Sequence, residues 1–165
     1  MNKIFYWSPF TTSKIATVKA VINSAASLNK FSKKNQFKTS IIDAVHEWKD
    51  FENEIKEKNI ELIYLNKDTF FNSFTKDGFM RSRIAYWYIF FKSFFPLIKV
   101  LQEKKPDYLI IHLITSLPLF LFTFKNFQSK LILRISGLPK MTFFRKLLWK
   151  LAVKNIYKIT CPTYA

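Results

Sequence analysis

Short apolar runs alternate along the chain with longer segments in which apolar residues recur at helical spacing. The first apolar run covers residues 3–7 and ends at Ser8-Pro9. In residues 14–31 the apolar positions recur every three or four residues, which predicts an amphipathic helix. Later parts of the chain repeat this alternation. Further strands are predicted at 37–45, 60–65, 107–113, 130–135 and 157–161, a loop at 66–78, and further helices at 47–58, 81–104, 142–156 and from Thr115-Ser116 onward.

The predicted strands are largely apolar along their whole length, and helices separate them. Strands of this kind are typical of a parallel sheet whose two faces are both covered. A chain of 165 residues also fits a single domain. The pattern therefore predicts an α/β fold over residues 1–165, a Rossmann-like doubly wound parallel sheet with helices on both faces.

The apolar stretch 108–124 has a second interpretation, a membrane span. It contains no Asp, Glu, Lys or Arg, and its length approaches that of a spanning helix. Asp107 just before the stretch, Thr115-Ser116 within it and Pro118 favour a strand, a turn and a helix instead.

The chain is strongly basic, with 27 Lys and Arg against 11 Asp and Glu and a formal net charge of +16. Such a charge attracts nucleic acid, an anionic membrane surface or a phosphorylated substrate. A low-GC genome, which favours Lys and Asn codons, also produces such an excess of positive charge. Because no helix-turn-helix, RNA-binding strand motif or zinc finger is present, we expect no nucleic-acid partner. A basic non-enzymatic module that binds nucleic acid or an anionic membrane is the alternative function class.

Several kinds of chemistry have no support in the residue types. Only 2 Gly occur, which excludes a glycine-rich P-loop, and no dinucleotide fingerprint, Ser-His-Asp order or metal-ligand spacing is present. Paired carboxylates are not candidates either, because most acidic residues fall in the stretch 43–61, which we expect to be exposed. The single Cys161 and the lack of a signal peptide before Ser8-Pro9 favour the cytoplasm.

Ligands of doubly wound sheets bind beyond the carboxyl ends of the strands, so the residues that follow each predicted strand are the candidates. The loop after the first strand is rich in hydroxyls and carries a Lys beside a helix start, where backbone N–H groups attract phosphate. A plain capping loop is the alternative. Gly137, after the fifth strand, can take a positive φ and bring the backbone close to a ligand. The candidate substrate-binding residues are Ser8, Thr12, Lys14, Ala16, Thr17, His112, Arg134, Ser136 and Gly137, and no catalytic residue or metal ligand is assigned.

Two of these candidates have open alternatives. His112 follows the fourth predicted strand and can donate to a sugar hydroxyl or a phosphate, but its apolar neighbours also suit a core histidine. Arg134 lies on the opposite side of its strand from Leu133 and Ile135, toward a crevice. A structural ion pair is the alternative for Arg134.

The predicted helix 142–156 is both apolar and basic. It has one apolar face, while its cations lie largely elsewhere, so we expect it to dock on anionic membranes. The alternative is a helix that packs this apolar stripe on the sheet. The apolar face consists of Phe143, Phe144, Leu147, Leu148 and Leu151, and the cations are Arg145, Lys146, Lys150 and Lys154.

Over essentially its whole length the chain resembles the amino-terminal domain of family 4 glycosyltransferases of the GT-B fold. The resemblance lies in residues 8–19, 105–112 and 131–137, the last leading on to 158–163. It implies transfer of a sugar from a nucleotide diphosphate sugar to an envelope polysaccharide or a lipid-linked acceptor. No cofactor and no metal ion are implied, since stabilisation of the leaving diphosphate supplies much of the catalysis. The implied place is the cytoplasm, peripheral on the inner face of the cell membrane.

The resemblance also implies a second, donor-binding domain, which residues 1–165 lack, so the chain alone is expected to be inactive. The first loop of the family approaches the diphosphate. Where many members have two glycines, this chain has residues 14–17, with Ala16 as the nearest small residue. A family histidine that contacts the donor sugar falls at Ser136, whereas the histidine at the end of the fourth strand matches His112. His112 is therefore expected to face the acceptor or the donor.

Overall fold

Within residues 1–11, 15–31, 36–67, 79–136 and 142–161, which the computed structural model describes, six strands pair in parallel. They lie in the order β3-β2-β1-β4-β5-β6, where β1 is Asn2–Trp7, β2 Phe37–Asp43, β3 Glu61–Tyr64, β4 Tyr108–Ile111, β5 Lys130–Arg134 and β6 Ile156–Thr160. The chain builds one half of the sheet outward from β1, crosses back, and builds the other half from β4. The predicted doubly wound α/β fold is confirmed, and β1 and β4 form its switch point.

Helices connect these strands, as a parallel sheet requires. They are α1 Ile15–Phe31, α2 Glu52–Glu57, α3 Phe79–Lys104, α4 Ser116–Phe124 and α5 Phe143–Ala152, with short 3-10 turns at Lys49–Phe51 and Val153–Asn155. The predicted helix 47–58 is therefore shorter than expected, and the predicted helix 142–156 ends at Ala152. Pro96 lies inside α3, which continues for two more turns. Of the predicted loop 66–78, residues 68–78 lie outside the described part.

Alternation of side chains along the strands divides the core into two layers. In β1, Ile4 and Tyr6 face α1 and α2, whereas Phe5 and Trp7 face α3, α4 and α5. We call these sides the α1 face and the α3 face. The α1 face is filled by Val18, Val21, Ile22, Ala25, Ile41, Trp48 and Ile55, and the α3 face by Ile42, Ala85, Ile89, Leu97, Leu101, Leu109, Ile111, Leu117, Leu119, Leu131 and Leu133.

The membrane-span interpretation of residues 108–124 is wrong for this fold. The backbone turns sharply at Leu113, which has a φ of 61°, and separates β4 from α4. Thr115 and Thr142 precede α4 and α5 without a side-chain hydrogen bond to the helix. Among the described helices, one segment has the length and apolarity of a span, Arg81–Lys104. Its inner stripe packs on the sheet.

Candidate functional site

Three of the sequence candidates follow one another across the carboxyl edge of the sheet. Trp7 pairs with Ile111, and Ile111 pairs with Leu133. The next residues on the three adjacent strands are Ser8, His112 and Arg134. The backbone N–H of His112 donates to the Trp7 carbonyl oxygen at 2.9 Å, which extends the pairing beyond β4. We call this set, Ser8, His112 and Arg134, the edge row.

His112 is the most unusual member of the edge row. Its side chain is only 4% exposed, and neither ring nitrogen has a hydrogen-bond partner in the described part of the chain. Burial and, to a lesser extent, the nearby Arg134 guanidinium lower the pKa of His112 to about 4. The imidazole is therefore neutral at physiological pH and offers one N–H donor and one acceptor. Leaving such groups unpaired costs about 1–3 kcal/mol each, which a ligand that reached them could offset.

A cleft lies beside the edge row, between the end of β1, the start of α1 and the turn after β4. It measures about 280 Å³ and is lined by Pro9, Phe10, Thr11, Thr17, Val18, Leu113 and Ile114. Thr17 supplies a hydroxyl to its wall. Since α1 follows β1 directly, the first turn of the helix borders the cleft, and helix amino-termini attract anions. We call this space the switch-point cleft.

The turn after β4, which forms one wall of the switch-point cleft, has a strained backbone and is fastened by a hydrogen bond. The left-handed conformation of Leu113 costs about 1–2 kcal/mol for a residue with a Cβ atom. The indole Nε1 of Trp7 donates to the Ile114 carbonyl oxygen at 2.7 Å. Trp7 is fully buried, so this bond fastens the turn after β4 to the end of β1.

Ser8 and the remaining sequence candidates differ in their exposure to solvent. Ser8 is buried, and its hydroxyl has no partner among the described residues. Ala16 is exposed and does not line the switch-point cleft, and Ser136 is exposed just after β5. Thr12, Lys14 and Gly137 lie outside the described residues.

Arg134 reaches a separate groove of about 670 Å³ on the α1 face. Tyr6, Ser24, Ile110 and Lys158 line the same groove, and the Tyr6 hydroxyl lies 3.0 Å from the Ser24 hydroxyl. No carboxylate pairs with Arg134 in the described part of the chain. His112 is too deeply buried to share this open groove, so the two residues are neighbours in register rather than walls of one crevice.

A buried carboxyl pair at the end of β2 was missed from the sequence. Residues 43–61 were expected to be exposed, but Asp43 and Glu47 are almost fully buried. The Glu47 carboxylate accepts from the backbone N–H of Ala44 at 3.2 Å and of Val45 at 2.7 Å, and the Glu47 N–H donates to Asp43 Oδ1 at 3.1 Å. The apolar run around them was the signal, because it favours burial of any side chain within it.

The two carboxyls influence each other strongly. Burial raises the pKa of Glu47 well above its usual range, and the Asp43 carboxylate raises it further. Burial also raises the pKa of Asp43. Of the two carboxyls, Glu47 is therefore the one whose surroundings favour the protonated form more strongly. Next to Glu47, Trp48 packs edge to face on Phe10 at 5.1 Å between ring centroids. Because Phe10 lines the switch-point cleft, the contact between these two rings supports the wall of the cleft.

No family model matches the chain, and no relative was found among curated proteins. In the described part, no three His, Cys, Asp or Glu side chains come together as a metal site. The edge of the sheet thus combines a hydroxyl, a neutral imidazole, a guanidinium and a helix start. Of these groups, Arg134 and the start of α1 line open spaces and can hold a ligand that carries phosphate, whereas Ser8 and His112 are buried between them in the register of the sheet.

Proposed function

We propose that residues 1–165 form the amino-terminal half of a glycosyltransferase, which transfers a sugar from a nucleotide diphosphate sugar to an envelope polysaccharide or a lipid-linked acceptor. The observation that carries the proposal is the edge row at the switch point between β1 and β4. Ligands of doubly wound sheets bind at this place. The resemblance of the sequence to family 4 glycosyltransferases supports the same class.

Two members of the edge row, His112 and Arg134, have proposed roles in holding substrate. His112, uncharged because its pKa is about 4, donates a hydrogen bond to a sugar hydroxyl or a phosphate oxygen. Arg134 offsets negative charge on the diphosphate, as a guanidinium does well. The start of α1, with Thr17 on the cleft wall, adds backbone N–H groups that favour the leaving diphosphate.

In this proposal the catalytic site lies between two domains, and residues 1–165 supply one wall. The chain alone should therefore bind nucleotide sugars weakly and should not turn them over. Turnover assays with the chain alone and with the complete gene product test this part. Robust turnover by residues 1–165 would contradict the two-domain arrangement.

Calorimetric titration of the chain with several nucleotide diphosphate sugars tests binding. Arg134→Ala should remove the weak binding, whereas Lys99→Ala, which removes the same charge from an exposed site on α3, should leave it unchanged. His112→Leu should also remove binding, and His112→Gln, which keeps a donor, should retain part of it. Equal losses in Arg134→Ala and Lys99→Ala would show that only net charge matters and would overturn the proposal.

The same protein can be tested for the alternative class, a basic module that binds nucleic acid. Filter binding across a salt titration separates the two classes, because nucleic-acid affinity falls steeply as salt rises. We expect no sequence-independent binding of this kind at physiological salt. Tight nucleic-acid binding together with no nucleotide-sugar binding would replace the proposed function with the alternative.

A further inference from the structure

Helix α5 leaves its most apolar stripe in solvent. Phe143, Phe144, Leu147 and Leu151 are between 41% and 80% exposed. The sheet is covered instead by Leu148, Trp149 and Ala152 on another side of the helix. Packing on the sheet therefore does not account for the exposed stripe.

Helix α3 presents a second apolar stripe on the same face of the sheet. Ile84, Trp87, Phe91 and Phe95 follow helical spacing and are between 53% and 76% exposed. The opposite side of α3, including Ala85 and Ile89, is buried on the sheet. Exposure of several large aromatic residues in one row is unusual for the surface of a soluble domain.

The two stripes meet at one groove. Trp87 of α3 and Phe144 of α5 line the same groove of about 840 Å³, and Phe90, Phe120 and Leu148 line it between them. We call the exposed stripes together with this groove the aromatic face. Leu113 also lines the groove, as it lines the switch-point cleft. The aromatic face therefore reaches the carboxyl edge of the sheet.

Positive charge surrounds the aromatic face. Lys146 and Lys150 are exposed on α5 beside its apolar stripe, and Lys99 is exposed on α3. In residues 79–161 the only acidic residues are Glu103 and Asp107. The acidic residues of the chain are thus concentrated before this segment, and the segment that builds the aromatic face is almost purely basic.

We propose that the aromatic face docks on an anionic lipid bilayer. Exposed Trp, Phe and Leu beside Lys are the residues that bury into the boundary between headgroups and acyl chains while cations contact anionic headgroups. A protein partner of opposite character would need acidic residues around an apolar patch, but a bilayer supplies both properties over its whole surface. Docking in this way places the switch-point cleft beside the membrane.

Flotation of the chain with vesicles of phosphatidylcholine, with and without phosphatidylglycerol, tests the proposal. We expect binding to the phosphatidylglycerol vesicles, a decrease of about tenfold in Phe144→Glu, and no change in Phe31→Glu. Phe31 is the matched control, because it is 75% exposed at the end of α1, on the opposite face. Equal effects of the two substitutions, or no binding to either vesicle, would overturn the proposal.

Tryptophan fluorescence identifies the surface that inserts. Of the four Trp, Trp7 and Trp48 are fully buried and Trp149 is partly buried at the groove, whereas Trp87 is 53% exposed, so brominated lipids should quench Trp87 most. Trp87→Phe should remove most of this quenching and keep binding. Quenching that is unchanged in Trp87→Phe would contradict insertion of the aromatic face, as would a dimer formed through this face that anionic vesicles fail to dissociate.

Discussion

Trp7 and His112 are joined by a backbone hydrogen bond of 2.9 Å at the switch point of the sheet. The bond aligns the residue after β1 with the residue after β4, and it places a neutral imidazole in the edge row. Burial there, with the nearby Arg134, holds this side chain uncharged although its ordinary pKa is 6.5. This relationship makes the edge of the sheet sensitive to acid and supports the proposed binding site.

Stability should fall in acid because of His112. Its pKa in the folded protein, about 4, lies below the ordinary value of 6.5, so the stability it contributes is present above pH 6.5 and lost as pH falls through 4. The full loss is about 3 kcal/mol. Urea denaturation of the protein and of His112→Gln between pH 7 and pH 4 measures it. We expect the two stability curves to diverge across this window; parallel curves would show that His112 is not held neutral.

Glu47 should act in the opposite direction. Its pKa is raised by burial, so its contribution to stability is fully present below the unfolded pKa, about 4.3, and is lost as pH rises through the folded pKa. As pH rises from 5 to 8, the free energy of unfolding should therefore fall less in Glu47→Gln than in the wild type, in the same denaturation experiment. Glu57→Gln, at an exposed site on α2, is the control and should leave the pH dependence unchanged. A Glu47→Gln curve with the wild-type slope would contradict a raised pKa at the buried Glu47 carboxyl.

The left-handed turn at Leu113 predicts an inverted preference between two small residues. At a φ of 61°, Leu113→Gly should be more stable than Leu113→Ala by about 1 kcal/mol, since only glycine takes this conformation without strain. At Ser27, exposed within α1, the order should reverse, with Ala more stable than Gly by about 1 kcal/mol. Thermal unfolding of the four variants checks both orders. Ala more stable than Gly at both sites would mean that the turn after β4 is not left-handed.

The indole of Trp7 should hold the turn after β4 in place. Trp7→Phe removes the donor to the Ile114 carbonyl oxygen and should cost at least about 1–3 kcal/mol, because an acceptor is left unpaired. Hydrogen exchange of the amides of 113–115 should also become faster. An unchanged exchange rate would show that this bond does not restrain the switch-point cleft.

Local pattern was sufficient for the architecture but not for burial at the site. Apolar runs such as 130–135 predicted buried parallel strands because each face of such a strand needs apolar residues. The edge row followed from strand ends alone. The apolar run around Glu47 favoured burial, but the many charges of the stretch 43–61 favoured exposure, and the sequence alone did not decide between them.

The apolar stripe of α5 shows a second feature that the sequence pattern could not predict. Helical spacing predicted one apolar face for this helix. Both docking on a membrane and packing on the sheet were open for that face, which consists of Phe143, Phe144, Leu147, Leu148 and Leu151. The structure divides it, because Leu148 packs on the core beside Trp149 while the other four side chains remain exposed. Which stripe the sheet covers depends on how the helix is rotated against its neighbours, and periodicity carries no such information.

Amide chemical-shift mapping by NMR during titration with a nucleotide diphosphate sugar tests the proposed function most directly. The proposal predicts that the largest shifts occur at Ser8, Thr17, Leu113 and Ile135, around the edge row and the switch-point cleft, and that they vanish in Arg134→Ala. Shifts spread over exposed lysines such as Lys38 and Lys99, with none at the carboxyl edge of the sheet, would contradict it.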